Sequence, residues 1–149
     1  MTDSNAERPR IRTLDADEAR AFLSTQHVAR LAYTFRDRVD IEPLHYVADG
    51  NWIYGRTSPG AKLATLAHHP WCALEVDEIH GTFDWTSVVV KGAFYILDDK
   101  RDAAAFEHAV DVLRDLVPGA LMHDDPVPER TVLFRVHIAE ITGRSARST

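Results

Sequence analysis

The chain has 149 residues, of which 45% are hydrophobic, which is enough for one domain with its own core. Its formal net charge of −6, with no run of lysine or arginine, excludes a general nucleic-acid binder. No apolar stretch approaches the roughly 20 residues that span a bilayer, and the N-terminal residues lack the apolar segment of a signal peptide. We therefore expect a cytoplasmic protein with neither a nucleic-acid nor a membrane partner.

The first third of the chain predicts a short helix followed by a meander of strands. Residues 1–12 are polar and contain Pro9, which is typical of a flexible arm. Asp15 and Glu18 have the spacing of a capping box and predict a helix that ends near residue 25. Three strand-like runs follow, separated by short polar turns, at residues 28–35, 39–47 and 52–56.

The rest of the chain alternates helices and strands without a regular βαβ pattern. The predicted elements are a helix, two strands, a helix and a strand, at residues 58–68, 71–77, 85–97, 98–117 and 132–138. Asp98 or Asp99 is the predicted cap of the second of these helices, and Gly92 suits a bulge or a tight barrel bend. The tail from Gly143 is predicted to be loose.

About six strands with three inserted helices favour a closed or split antiparallel barrel over a doubly wound parallel sheet. We expect an arm at residues 1–12, one domain at residues 13–143 and a loose tail at residues 144–149. Cys72 is the single cysteine, which excludes an intrachain disulfide. Its apolar neighbours predict a buried small hydrophobic residue rather than a reactive thiol.

The most informative motif is residues 51–62, Asn-Trp-Ile-Tyr-Gly-Arg-Thr-Ser-Pro-Gly-Ala-Lys, where an aromatic-rich strand runs into a helix start. Ser58 is a good N-cap and Pro59 suits the first helical position. Arg56 and Lys62 would flank the positive end of the helix dipole with cations, an arrangement that binds phosphate. The alternative is an ordinarily capped helix with two solvated cations.

Two further groups are candidates for ligand contacts. Pro43 interrupts the backbone ladder of its strand, which indicates either a bend that faces a ligand or simply an edge strand. His45 is a possible ring contact or proton donor, or a rim residue of the sheet. Trp85 and Ser87 offer a stacking surface and a hydroxyl, but Trp85 also suits the end of a barrel.

The sequence argues against metal and hydrolase sites. Acidic residues surround His80, but no ligand set has the spacing of a metal site, and a solvated acidic loop is favoured. No serine, cysteine or threonine lies in a nucleophile motif such as Gly-x-Ser-x-Gly. No metal and no catalytic side chain are therefore assigned.

In this order, the motifs resemble the pyridoxamine 5′-phosphate oxidase-like, FMN-binding split-barrel family, close to its nitroimidazole-resistance branch. The resemblance covers about residues 14–142 and is carried by residues 28–32, 43–46, 53–63, 76–79, 85–92 and 141–144. It implies a six-stranded antiparallel Greek-key split barrel. It also implies a homodimer with one FMN in each of two clefts between the subunits.

The resemblance also assigns roles to individual residues. The phosphate would be held by Arg56, Thr57, Ser58 and Lys62, and the isoalloxazine would be bordered by Pro43, Leu44, His45 and Tyr46. Trp85 and Ser87 would contact the cofactor, from the other subunit where the cleft is shared. Because some family members use deazaflavin F420 or heme, these cofactors remain alternatives to FMN.

The implied function is an FMN-binding oxidoreductase that transfers electrons from a reduced nicotinamide to a small planar acceptor, a nitro compound or a quinone. The alternative is a non-catalytic protein that holds flavin, pyridoxal phosphate or heme, or an F420-dependent reductase. Pyridoxamine-phosphate oxidase activity itself is not expected, because the family's oxidases have an additional C-terminal segment with a substrate-binding arginine and histidine.

Overall fold

The computed structural model describes residues 8–148, which form seven strands and three helices. In chain order these are β1 (Arg10–Leu14), α1 (Ala16–Thr25), β2 (Val28–Phe35), β3 (Arg38–Asp49), β4 (Trp52–Thr57), α2 (Ala61–His68), β5 (Trp71–Gly81), β6 (Asp84–Ile96), α3 (Ala103–Leu116) and β7 (Val132–Arg147). In this part of the chain, no helix has both the length and the apolar character needed to cross a membrane.

Six of the strands close into an antiparallel barrel. The neighbours run in the order β7-β4-β3-β2-β5-β6, and β6 pairs with β7 to complete the circle. The predicted meander of β2, β3 and β4 is confirmed by its two hairpins. The predicted fold class, a mainly β split barrel with inserted helices, is therefore confirmed, with β1 as an additional seventh strand.

The two chain ends correct the predicted arm and tail. Strand β1 pairs with the end of β7, from Arg10 opposite Arg147 to Leu14 opposite Gly143. Residues 10–12 and 144–147 therefore belong to the sheet, whereas residues 1–7 and 149 of the predicted arm and tail lie outside the described residues. The two segments are polar and distant in the sequence, so only their long-range pairing reveals that both are strands.

Alternation along the strands fills the barrel interior. Leu31, Leu44, Leu74, Val90 and Val136 point inward and are each at most 5% exposed. The burial of each such side chain contributes about 1.5–3 kcal/mol. Helices α1 and α2 pack against this core, and α3 packs against a second cluster around Tyr54, Leu97 and Leu133.

The predicted irregularity at Gly92 is confirmed and lies where β6 and β7 change register. Lys91 pairs with Glu140, but Gly92 pairs with Ile138, so β7 carries one extra residue. A Cβ atom on Gly92 would collide with the backbone oxygen of His137. Gly92 is therefore the residue that lets the two strands approach at the bulge.

Two of the three helices begin at residues other than the ones predicted to cap them. Asp15 caps α1 and forms the predicted capping box with Glu18. Helix α2 begins at Ala61 after Gly60, not at Ser58, and no side chain caps it. Helix α3 begins after Asp102, because the Asp98 carboxylate instead accepts hydrogen bonds from the N–H groups of the turn that follows it.

Cys72 faces the barrel interior and is 3% exposed, as predicted. Burial raises the pKa of its thiol to about 12, so the reactive thiolate is scarce at neutral pH. The residue therefore serves as a small core side chain.

Candidate functional site

The predicted phosphate motif lines a solvent-open cavity where β3, β4 and α2 meet. This central hollow has a volume of about 400 Å³. Its lining includes Pro43, Thr57, Ser58, Gly60, Lys62 and Arg130. The end of β4, the turn at residues 58–60 and the first turn of α2 thus form one wall, and β3 forms the other.

Lys62 provides a largely buried cation at this hollow. Its side chain is 13% exposed, and its Nζ donates to the Thr57 hydroxyl at 2.8 Å and to the Glu42 carboxylate. Glu42 is more exposed, at 37%, and lines the same hollow. The cation is therefore fixed in position, and the carboxylate paired with it lines the same hollow.

Arg56 does not face the hollow as an unpaired cation. Its guanidinium is 7% exposed and forms a bidentate ion pair with Asp125, with Nη2 donating to Oδ1 at 2.7 Å. This hydrogen bond is the main reason why the pKa of Asp125 lies well below its ordinary value. The structure thus pairs Arg56 with a carboxylate of the chain itself, which the sequence did not predict.

Asp125 also organises the segment between α3 and β7. Its carboxylate accepts the N–H groups of Leu121 and Val127 at 2.8 and 3.0 Å. Arg130, at the end of this segment, lines the central hollow. The Arg56–Asp125 pair therefore holds in place the segment that brings a second cation, Arg130, to the hollow beside Lys62.

Two more cavities adjoin the central hollow. The first, the distal hollow, has a volume of about 240 Å³ and shares Arg56 and Arg130 with it. The rest of its lining is His45, Leu113, Leu116, Val117, Pro126 and Val127. The second, the hairpin slot, shares Ala61 and has a volume of about 430 Å³. The rest of its lining is Phe35, Arg36, Ala64, Thr65, His68 and His69.

Three of the four predicted ring contacts on β3 reach these cavities. Pro43 and Leu44 line the central hollow and His45 lines the distal hollow. Tyr46 does not reach them, because its side chain is fully buried and its Oη donates to the Leu23 carbonyl at 2.6 Å. Strand alternation turns Tyr46 into the barrel, where it ties β3 to α1.

Trp85 and Ser87 do not join the phosphate motif within one subunit. They line a separate cavity on the outer surface of β6 and β7, the rear hollow, together with Lys91 and Arg144. The Trp85 indole donates to the Thr82 carbonyl, and the Ser87 hydroxyl donates to Glu75. A single chain therefore brings seven of the ten predicted site residues to the central and distal hollows, whereas Trp85 and Ser87 line the rear hollow and Tyr46 lies inside the barrel.

The acidic residues near His80 are engaged in ion pairs at the surface. Arg30 bonds both Glu75 and Asp77 across the β2–β5 pair, and His80 contacts Glu78. Partial burial raises the pKa of Glu75, an effect that the Ser87 hydrogen bond partly opposes. Among residues 8–148, no group of three or more histidine, cysteine or acidic side chains is arranged to hold a metal ion.

The split barrel, with its cationic hollow between β3, β4 and α2, is typical of the class of split-barrel proteins related to pyridoxamine 5′-phosphate oxidase. The sequence profile of the pyridoxamine 5′-phosphate oxidase family matches residues 15–145. The chain therefore belongs to this family, as its motifs indicated.

Individual relatives cover nearly the whole chain. An uncharacterized protein from Rhizobium meliloti is 29% identical over an alignment of 147 residues, and the match covers 91% of this chain and 95% of the relative. The structure of a FAD-binding protein from Mesorhizobium loti has a TM-score of 0.75 and 29% identity, and the match covers 93% of this chain and 99% of that one. The structure of a candidate 5-nitroimidazole antibiotic resistance protein from Bacteroides thetaiotaomicron has a TM-score of 0.68 at 13% identity. The match covers 99% of this chain and 98% of that one, and it supports the fold.

Proposed function

We propose that this protein is a flavin-dependent oxidoreductase that holds the phosphate of its cofactor in the central hollow. The observation that carries the proposal is Lys62, a 13% exposed cation fixed beside the Thr57 hydroxyl in the wall of that hollow. Membership of the family and the similarity to a FAD-binding protein support the flavin. FMN is the simplest flavin that carries the phosphate this hollow would recognise.

The residues around the hollow fit a flavin phosphate by their chemistry. Lys62 and Arg130 would supply positive charge, and Thr57 and Ser58 would supply hydroxyl donors. The N-terminus of α2, which no side chain caps, opens on the same cavity. Glu42 is the one acidic group in the lining, and a bound phosphate would compete with it for Lys62.

The protein's contribution is binding and orientation. A bound flavin would supply the two-electron chemistry, accepting hydride from a reduced nicotinamide and reducing a small planar acceptor of the nitro or quinone type. Pro43 and Leu44 would border the ring along β3, and His45 would lie at its far side beside the distal hollow. The surrounding apolar residues would exclude water from the ring.

A homodimer is the second part of the proposal. The outer surfaces of β2, β3 and β5 carry exposed apolar side chains, among them Val39 at 72%, Ile41 at 67% and Trp71 at 54%. Ile41 pairs with Ala32 on β2, which in turn pairs with Ala73 on β5, so the apolar surface is continuous. An exposed apolar patch of this kind on a soluble domain marks an interaction surface.

A second copy on this surface would also explain the position of Trp85 and Ser87. Both residues lie on the outward side of β6, next to β5, and line the rear hollow. A two-fold axis across the outer face would bring this hollow of one subunit toward β3 of its partner. The cofactor would then lie between subunits.

The proposed cofactor is tested by the absorption spectrum of the purified protein before and after addition of FMN. We expect flavin bands, release of a flavin that mass spectrometry identifies, and bleaching of the bands when NADH or NADPH is added with and without a nitro or quinone acceptor. Riboflavin, which lacks the phosphate, should bind at least about 10-fold more weakly than FMN. A Soret band, an F420 spectrum or a protein that ignores all flavins would contradict the proposal.

The dimer is tested by the change Ile41→Glu, which places a charge in the centre of the apolar face. Light scattering should report a dimer for the wild type and a monomer for the variant, with FMN binding reduced by at least about 10-fold because the cleft is shared. Met122→Glu, at a residue that is 49% exposed outside this face, is the matched control and should remain a flavin-binding dimer. A monomeric wild type, or a dimer that Ile41→Glu leaves intact, would refute this interface.

A further inference from the structure

The hairpin slot has the shape and chemistry of a site for a planar heteroaromatic ring. Its floor is α2, where exposed Ala61 and Ala64 carry only methyl groups. On one side stands Phe35, which is 40% exposed, with the Arg36 guanidinium 5.1 Å from its ring centre. An arginine over an aromatic ring beside a flat floor is an arrangement on which nucleobases stack.

The slot is held open by the backbone of the β2–β3 hairpin. Arg36 and Asp37 form its two-residue turn and both have positive φ, 47° and 52°. This is the backbone of the tight hairpin turn that matches the twist of paired strands. The turn fixes Phe35 and Arg36 opposite α2, so the folded chain itself forms the slot.

The slot adjoins the central hollow. Ala61, the first residue of α2, lines both cavities, and His68 lies at the other end of the helix. Seven residues of α-helix span about 10 Å, which is comparable to the reach from a nucleotide phosphate across its ribose to the base. The central hollow thus shares lining residues with both neighbours, Arg56 and Arg130 with the distal hollow and Ala61 with the slot.

We propose that the hairpin slot binds the adenine of a dinucleotide flavin, so that FAD rather than FMN is the preferred cofactor. This inference rests on the proposed flavin function and specifies its ligand. The pyrophosphate would lie in the central hollow near Lys62 and Arg130, with the flavin ring toward His45 and the adenine between Phe35 and α2. Arg36 gives the slot a positive charge that suits the ADP half of the ligand, and His68 and His69 lie beside it in the lining.

The similarity to the Mesorhizobium loti protein supports this choice of ligand, because that protein is described as FAD-binding and covers 93% of this chain. Nothing in the central hollow alone distinguishes FMN from FAD. The slot supplies that distinction, because FMN would leave it empty.

The test compares the dissociation constants of FAD and FMN by fluorescence titration for three forms of the full chain. The wild type should bind FAD at least about 10-fold more tightly than FMN, since one stacked base contributes a factor of this order. Ala64→Trp fills the slot from an exposed position on α2 and should reduce FAD affinity to that of FMN while FMN affinity stays within about 2-fold. Phe35→Ala should act in the same direction, and Phe35→Tyr should restore FAD binding.

Every outcome decides between the possibilities. Equal affinities of the wild type for FAD and FMN would refute adenine binding in the slot and leave the proposed flavin function intact. Equal effects of Ala64→Trp on the affinities for FAD and FMN would also refute adenine binding in the slot, because FMN would not reach it. A changed oligomeric state with unchanged FAD affinity would assign the slot to a subunit contact, and failure to bind either flavin would overturn both proposals.

Discussion

Replacement of Asp125 by asparagine should lower the melting temperature by about 10 °C at pH 7, because it leaves the Arg56 guanidinium buried without its counter-charge. The pair has side-chain exposures of 7% and 2%, and the same carboxylate accepts two backbone N–H groups of the segment before β7. Asparagine keeps the size but loses the charge and half of the bidentate interaction. Differential scanning fluorimetry measures the change.

The stabilisation of the fold by the Asp125 carboxylate should depend on pH in a defined direction. The folded-state pKa of Asp125 lies below its ordinary value of 3.8, so the carboxylate stabilises the fold fully above pH 3.8. This stabilisation decreases as the pH falls from there toward the lower folded-state pKa. The difference in melting temperature between the wild type and Asp125→Asn should therefore be constant from neutral pH down to about pH 5 and shrink below pH 4.

Asp124→Asn is the matched control for this prediction. Asp124 is the exposed neighbour of Asp125 and its substitution removes the same charge, with an expected change below about 2 °C. The double variant Arg56→Met, Asp125→Leu removes both charges and should recover part of the loss of the single variant. Equal melting temperatures for Asp125→Asn and Asp124→Asn would show that the ion pair does not hold this segment.

Local patterns predicted most of the barrel, and long-range pairing determined the rest. The alternation in β2, β3 and β7 and the Asp15–Glu18 box identified those elements, because each pattern reflects the immediate neighbourhood of the backbone. The pairing of β1 with the end of β7 joins residues more than 120 positions apart. Two polar segments with no local signal of their own gave no reason to expect it.

The same distinction explains what was predicted of the site. The strand-to-helix motif and its lysine are contiguous in sequence, so the central hollow could be anticipated, including Thr57, Ser58 and Lys62. Asp125 and Arg130 come from a proline-containing segment without periodicity, and nothing local connects them with Arg56, which lies 69 residues from Asp125. Glu42 lies next to Pro43 in the sequence, but only the geometry of β3 shows that its carboxylate contacts Lys62.

Lys62→Ala should weaken FMN binding by about 10- to 100-fold, since it removes a charge-assisted contact to the phosphate. Riboflavin affinity should stay within about 2-fold, because the contact involves the phosphate alone. Isothermal titration with both ligands separates loss of this contact from general damage to the cavity. Lys100→Ala, at an exposed lysine in the turn before α3, is the matched control and should leave both affinities unchanged.

Glu42→Gln should have the opposite effect on FMN and thereby test how the hollow is tuned. In the described structure Lys62 is paired with Glu42, so an arriving phosphate has to displace a carboxylate and tolerate its charge. Glutamine removes that repulsion and should tighten FMN binding by about 5-fold or more, with a smaller gain at high salt. Weaker FMN binding would instead mean that Glu42 acts by orienting Lys62, and the double variant with Lys62→Ala would then show no additional loss.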